Sequence, residues 1–473
     1  MKSDNTLLIS LLLTLSGLLI LVLEALYSAG GSLHVESISF LNNYLADRSL
    51  PAIIFDPARN DWGLYQAREL SYLIDWLDVQ FIAFSARKGV IHFYSLSSII
   101  FLTLCVFIQQ YGGRLLFPKL QSWIITILSL FFLLNPCVSG NIFFRSSKHG
   151  CALCFTLVIY LTLAILTGKG KKYWKWQIAG IALGLITATL FDRQGAFFTA
   201  AYTSAAGLLL FVISGQQDGK YSNILSIRTV TTVILSGIAI LIFGTIYNLY
   251  IAPACILSLN GYTPSFDYQN ISNLFSLKTL FPGLFFMAGN IGFTFNNSTG
   301  NTSFFLGLLL LSGLIFVFCR TAYLRKDYFW TVAAGGVLLL LGGIWICSSG
   351  MYVRHPAILQ PDVMYGYYFL PVMALLIPVF LLAAEAIRQT GFRRNPVGIL
   401  LSLALLIHTG KYIGPYEVGL FEGSMRPVNL RLPMLRRAIL EPDYDYRNST
   451  MPYQMEHFIE YIRKERRTEK NSP

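Results

Sequence analysis

The residues best suited to chemistry are acids in turn-prone stretches and cations beside helix ends. Asp56 and Asp61 lie in FDPARNDWGLYQAREL, a segment punctuated by Pro57, Asn60 and Gly63. A carboxylate there can take a proton from an acceptor hydroxyl, and Arg or Lys can stabilise a departing phosphate. Asp61 is the candidate base and Asp56 the second choice. The rival reading has Asp61 merely closing an Asx-type turn ahead of a helix. A third acid, Asp192, sits in the corner Asp192-Arg193-Gln194-Gly195. Its open alternatives are catalysis and a simple pairing with Arg193. Arg193, Arg354, Lys148 and Arg145 are the candidate phosphate ligands, Arg354 having an interface anchor as its rival role. His355 and Tyr365 belong to MYVRHPAILQPDVMYGYYFL, whose rings either stack on sugar faces or border a membrane.

The elements that must position these groups are membrane helices. Hydrophobic residues make up 54% of the 473 and charged residues only 13%, against about 25% charged in a soluble chain. Mean hydropathy is +0.56. Apolar runs near the roughly 20 residues needed to cross a bilayer predict an all-α polytopic protein of about eleven spans. They fall near 7–28, 90–110, 121–138, 150–167, 177–191, 196–214, 229–251, 303–320, 329–349, 366–387 and 396–412. The stretch 280–295, broken by Gly and Pro, reads as re-entrant or interfacial, and the first span as a retained anchor.

Charge sets the orientation. With a cytoplasmic N-terminus, the N-terminus and five inner loops hold 15 of the 36 Lys and Arg, including Lys169, Lys171, Lys172 and Lys175, but only four acids at the same ends. This asymmetry follows the positive-inside rule, so the formal charge of +12 is a topology signal and no sign of nucleic-acid binding. The transmembrane domain spans 1–412. Its first outer loop is 29–89, and 413–473 is a small extracytoplasmic segment.

Within the first outer loop, Leu70, Leu73, Ile74, Leu77, Phe81 and Phe84 recur at helical spacing, with Asp75 and Asp78 off that face. This predicts an amphipathic helix lying in the membrane interface. Cys151 and Cys154 mimic a CxxC but no second pair or His cluster completes a zinc site; they read as packing residues. Glu385 and Arg388, three apart, read as a surface pair.

The first loop resembles that of lipid-dependent glycosyltransferases with the GT-C fold, a group that includes protein mannosyltransferases and the aminosugar transferases of lipid A. Their loop carries an essential Asp, a Tyr four residues on, then Ala-Arg-Glu. Here those positions are Asp61, Tyr65 and Ala67-Arg68-Glu69. A second acid, frequent after the first, is replaced by Trp62. The segment WQIAGIALGLITATLFDRQGAFFTAAY is similar to the family's Gly-rich span and polar corner. The likeness covers roughly residues 1–210. It implies an inverting transfer from a polyprenyl-phosphate sugar to a glycan, lipid or protein acceptor on the extracytoplasmic side. It also implies Tyr65, Arg68 and Glu69 as sugar- or acceptor-binding residues, beside His355 and Tyr365.

No cofactor is expected; a divalent metal is chemically possible, and Trp62 at the second-acid position favours a metal-independent route. No Gly-Lys-Ser/Thr phosphate loop occurs, which argues against nucleotide hydrolysis. Two other classes stay open: a polymerase- or ligase-type enzyme centred on Arg354 and His355, and a lipid-linked glycan transporter, which predicts inverted repeats. Basic inner loops and few outer cysteines favour a bacterial inner membrane, with an extracytoplasmic C-terminus.

Overall fold

The computed structural model describes residues 12, 15–17, 19, 32–45, 49–55, 68–93, 95–135, 138, 147–169, 171–214, 227–251, 254–255, 276–296, 300–354, 366–391, 395–412, 427–429, 432–447 and 455–471. Among the described residues the elements are helices and one short strand pair. In order come β1 (Ser32–His34), α1 (Val35–Leu45), α2 (Leu50–Phe55), α3 (Glu69–Arg87), α4 (Leu96–Leu116), α5 (Ser122–Leu133), α6 (Ser147–Leu166), α7 (Trp174–Phe191) and α8 (Arg193–Ser214). There follow α9 (Ile227–Ile246), continued by a π-helical turn over Tyr247–Ile251, then α10 (Leu277–Asn296), α11 (Asn301–Arg325), α12 (Tyr328–Arg354), α13 (Gly366–Gln389) and α14 (Pro396–Tyr412). The tail adds β2 (Pro427–Asn429), α15 (Leu432–Leu440) and α16 (Glu456–Asn471).

Among the described residues, six helices are long and apolar enough to cross a bilayer: Leu96–Leu116, Ser147–Leu166, Trp174–Phe191, Asn301–Arg325, Tyr328–Gly350 and Phe369–Gln389. Ser122–Leu133, Val230–Ile246 and Pro396–Ile407 are shorter apolar helices. The expected first span, 7–28, lies almost wholly outside the described residues. The stretch 280–295 departs from expectation. It belongs to one unbroken 20-residue helix, α10, despite Pro282 within it, and twelve of its residues are buried. Small residues explain why it sits so deep. A side chain at Gly292 or Gly307 would strike the backbone of Ser303 or Ala288, and one at Gly283 would strike Ser349. Helices α10, α11 and α12 therefore approach to backbone contact, the packing that small residues allow between membrane helices.

Two cores result. The larger is the bundle, with α13 running through it almost wholly buried. The smaller joins the first loop to the tail: Ile38, Tyr44, Ile53, Tyr72, Val79 and Ile82 pack with Leu435, Ile439, Phe458 and Ile462. Phe93 meets Phe458 at 5.6 Å between ring centres, and β1 pairs antiparallel with β2. The tail is therefore half of one cap rather than a separate appendage. Arg87 to Glu465 at 3.0 Å and Lys88 to Glu469 at 3.2 Å fasten α16 along the end of α3.

Helix α3 is the plank between the two cores. Its Leu70 and Ile74 pack against the bundle while Tyr72, Val79, Ile82 and Ala83 enter the cap. Leu77, Phe81 and Phe84 of the expected apolar face point outward and are exposed, and Asp75 and Asp78 are buried. That is the inverse of a water-soluble amphipathic helix. It suits a helix whose greasy edge rests in the membrane interface and whose other face is sealed by protein. Asp78 is buried because it has work at the next helix. Its carboxylate accepts from Ser95 Oγ at 2.5 Å, Ser97 Oγ at 2.6 Å and the Ser97 backbone N–H at 3.0 Å. An acid there satisfies the amino end of α4 and its positive dipole. Burial raises the Asp78 pKa against these hydrogen bonds.

At the opposite end of the bundle, Glu385 and Arg388 do pair, but Glu385 is buried. Gln389 also donates to Glu385 at 2.7 Å and accepts from Trp330 Nε1 at 2.9 Å, while its carbonyl accepts from Arg325 at 2.6 Å. The pair thus ties three helix ends together.

Candidate functional site

The corner between α7 and α8 is built by four residues. Asp192 is extended, with φ −161° and ψ 155°, and ends α7 while starting α8. Its Oδ1 accepts the Gln194 backbone N–H at 3.0 Å, and its carbonyl accepts from Gly195 N at 2.9 Å. Asp is a preferred residue for this capping geometry. Gly195 is required for a different reason: any side chain there would overlap the Ala188 carbonyl of the preceding helix. The chain turns from one helix into the next with no room for a Cβ.

That corner aims the Asp192 carboxylate at two cations. Lys148 Nζ, in the first turn of α6, lies 2.7 Å from Oδ1, and Arg68, at the entrance to α3, lies 3.2 Å from Oδ2. All three side chains are at most 7% exposed. The contact brings together residues 124 and 44 positions apart. Burial works to raise the Asp192 carboxyl, but the Lys148 ammonium and the Arg68 guanidinium outweigh it and hold the group well below the usual carboxylate range. Two cations around one carboxylate leave the cluster net positive. Arg68 also lies over the Tyr72 ring, 5.7 Å from its centre.

Glu69 is the next residue of α3, and its two carboxylate oxygens are buried. Burial pushes its pKa up to about 7, opposed by its own backbone N–H and by Tyr247 beside it on the π-helical turn. A carboxyl poised there can give or take a proton near neutrality.

No family model matches the chain, and no curated protein matches it.

Of the expected site residues, Asp192, Lys148, Arg68 and Glu69 come together or stand adjacent. Asp56, Asp61, Tyr65, Arg145, His355 and Tyr365 lie outside the described residues, as do the side chains of Arg193 and Arg354. Among the described side chains and backbone, Asp192 meets Lys148, Arg68 and the Gln194 N–H; its alternative pairing with Arg193 falls on a side chain outside them. The Lys148–Asp192–Arg68 link was hidden in the sequence. One signal for it existed: opposite charges at the same predicted end of neighbouring membrane helices seldom remain unpaired.

Proposed function

We propose that the chain is a membrane glycosyltransferase of the GT-C type. It moves a sugar from a polyprenyl-phosphate donor to a glycan, lipid or protein acceptor on the extracytoplasmic side, with inversion. The observation that carries this reading is the buried, net-positive Arg68–Asp192–Lys148 cluster where the interfacial helix α3 meets the ends of α6 and α7. A lipid phosphate sits at that depth, and fixed cations in a water-poor site are suited to the charge that develops on it. Asp192, already satisfied by both cations, holds them in place rather than taking a proton. The acceptor proton goes to Asp61, as the resemblance of its loop implies. Arg68 follows Asp61 by seven positions, so chain length keeps them within about 25 Å.

In the step, the acceptor oxygen bonds to the sugar's anomeric carbon as that carbon's bond to the phosphate oxygen breaks. The acceptor proton passes to the Asp61 carboxylate and the electron pair leaves with the lipid phosphate, whose charge Arg68 and Lys148 oppose. The full arrangement in this reading has about eleven spans, a cytoplasmic N-terminus and an extracytoplasmic cap, in a bacterial inner membrane.

The test is transfer of labelled sugar by wild type and Asp61→Asn in nanodiscs, from a panel of polyprenyl-phosphate sugars to host-membrane extract. The expected outcome is transfer by the wild type and a loss of about 10²-fold or more in the variant, the contribution of a general base. Equal transfer by both moves the base to Asp56. No transfer from any donor by folded protein refutes the reading.

A further inference from the structure

The cap carries a concavity separate from the buried cluster. A cleft of roughly 720 Å³ opens between the loop 442–447 and the exposed side of α16. Its volume is that of a ligand pocket, but its lining is the opposite of a greasy one. Three acids and four bases line it, together with Tyr444, Tyr446, Thr468 and Pro442. No Leu, Ile, Val, Met or Phe contributes.

The walls are fixed before anything binds. Arg463 donates to the carbonyls of Ala438, Glu441 and Tyr444 at 2.5, 2.8 and 3.1 Å, stapling the loop to α16. Across the cleft, Glu460 accepts from Arg447 at 2.8 Å and from the Tyr446 hydroxyl at 3.2 Å. Lys464 and Arg467, one turn apart on α16, are exposed and make no ion pair among the described residues. Asp443 is exposed on the loop opposite.

We propose that this cleft binds an oligosaccharide bearing sparse negative charge, such as a uronic acid or a sugar phosphate. Hydroxyl groups need donors and acceptors interspersed, which the mixed acids and bases supply. Lys464 and Arg467 take the ligand's anionic group. Asp443, Asp445 and Glu460 disfavour a dense polyanion, which separates this ligand from nucleic acid or polyphosphate. That the saccharide is the acceptor strand of the transfer reaction rests on the glycosyltransferase reading; the binding itself does not.

The experiment uses the full-length protein in nanodiscs of phosphatidylcholine, titrated with a xylotriose bearing one glucuronic acid branch and, separately, with uncharged xylotriose. Saturable binding of the singly charged sugar is expected, at least tenfold tighter than that of xylotriose. It should weaken at least tenfold in Lys464→Gln/Arg467→Gln, whose thermal unfolding should match wild type because both positions are exposed. No saturable binding of the charged sugar, equal binding of the two sugars, or an unchanged affinity in the double variant overturns the proposal. Binding without sugar transfer leaves this site standing and removes the transferase reading; transfer without binding does the reverse.

Discussion

Replacing Asp192 with Asn isolates the charge of the buried cluster from its geometry. Asn caps a helix about as well as Asp, so the turn into α8 survives. The lost quantity is the negative charge between Lys148 at 2.7 Å and Arg68 at 3.2 Å. At an effective dielectric of about 20, each contact is worth about 5 kcal/mol of gross Coulomb energy, much of it offset by desolvation. Removing one member of a buried ion pair costs about 3–5 kcal/mol, because the remaining charge is left stranded. Here two cations are stranded, and they also repel each other. A loss of about 3–5 kcal/mol is therefore expected in equilibrium unfolding by SDS in mixed micelles, followed by tryptophan fluorescence. Asp327→Asn is the matched control. That carboxylate also accepts a helix-start N–H, from Trp330 at 3.0 Å, but it is exposed and has no buried cation beside it. It should change stability by less than about 0.5 kcal/mol. Adding Lys148→Met to Asp192→Asn should recover part of the loss by removing one stranded charge. If Asp192→Asn costs no more than the Asp327 control, the cluster does not hold its cations as described.

Gly195→Ala places a methyl group on the Ala188 carbonyl, which cannot yield; the same unfolding assay should show a loss of about 2 kcal/mol or more. Gly207→Ala, in open space on the same helix, should be neutral or stabilise by up to about 1 kcal/mol. Folding raises the Glu69 pKa from 4.5 to about 7, so between those values the folded chain keeps a proton that the unfolded chain has released. This group therefore costs nothing below about pH 4.5, and stability falls as pH rises through about 7, by up to about 3 kcal/mol. Glu69→Gln should flatten that slope across pH 5–8.

Much of the fold could be read from local pattern. Apolar runs found the helices because hydrocarbon allows little else than a helix of that length. Tertiary contact defeated the pattern in two places. Pro and Gly made 280–295 look broken, yet in α10 the same glycines are what let α11 and α12 close on it. Periodicity located α3 and its apolar edge, but could not say that Leu70 and Ile74 of that edge would pack on the bundle while Leu77, Phe81 and Phe84 face outward. In a membrane interface an apolar face and a buried face need not coincide, and α3 has one of each. Nor could periodicity show that Phe458 and Ile462, over 350 residues from Phe93, would complete the same core.

The site shows the same division between what is local and what is not. Residue type and membrane depth selected Lys148 and Asp192, since ionisable groups at helix ends are costly unless they act or pair, while Arg68 and Glu69 came only from the resemblance of the first loop. What they do depends on distance, which sequence spacing does not encode across 124 residues. Proximity changes the chemistry of Asp192 altogether. Alone at the end of a span, it is a candidate base. Between Lys148 and Arg68 it is an anion too well stabilised to take a proton, and its value lies in the cations it fixes. The adjacent Glu69, buried away from such partners, moves the opposite way and becomes the more basic carboxylate. Two acids carried by one helix and one corner are thus driven apart in proton affinity by what each is buried against.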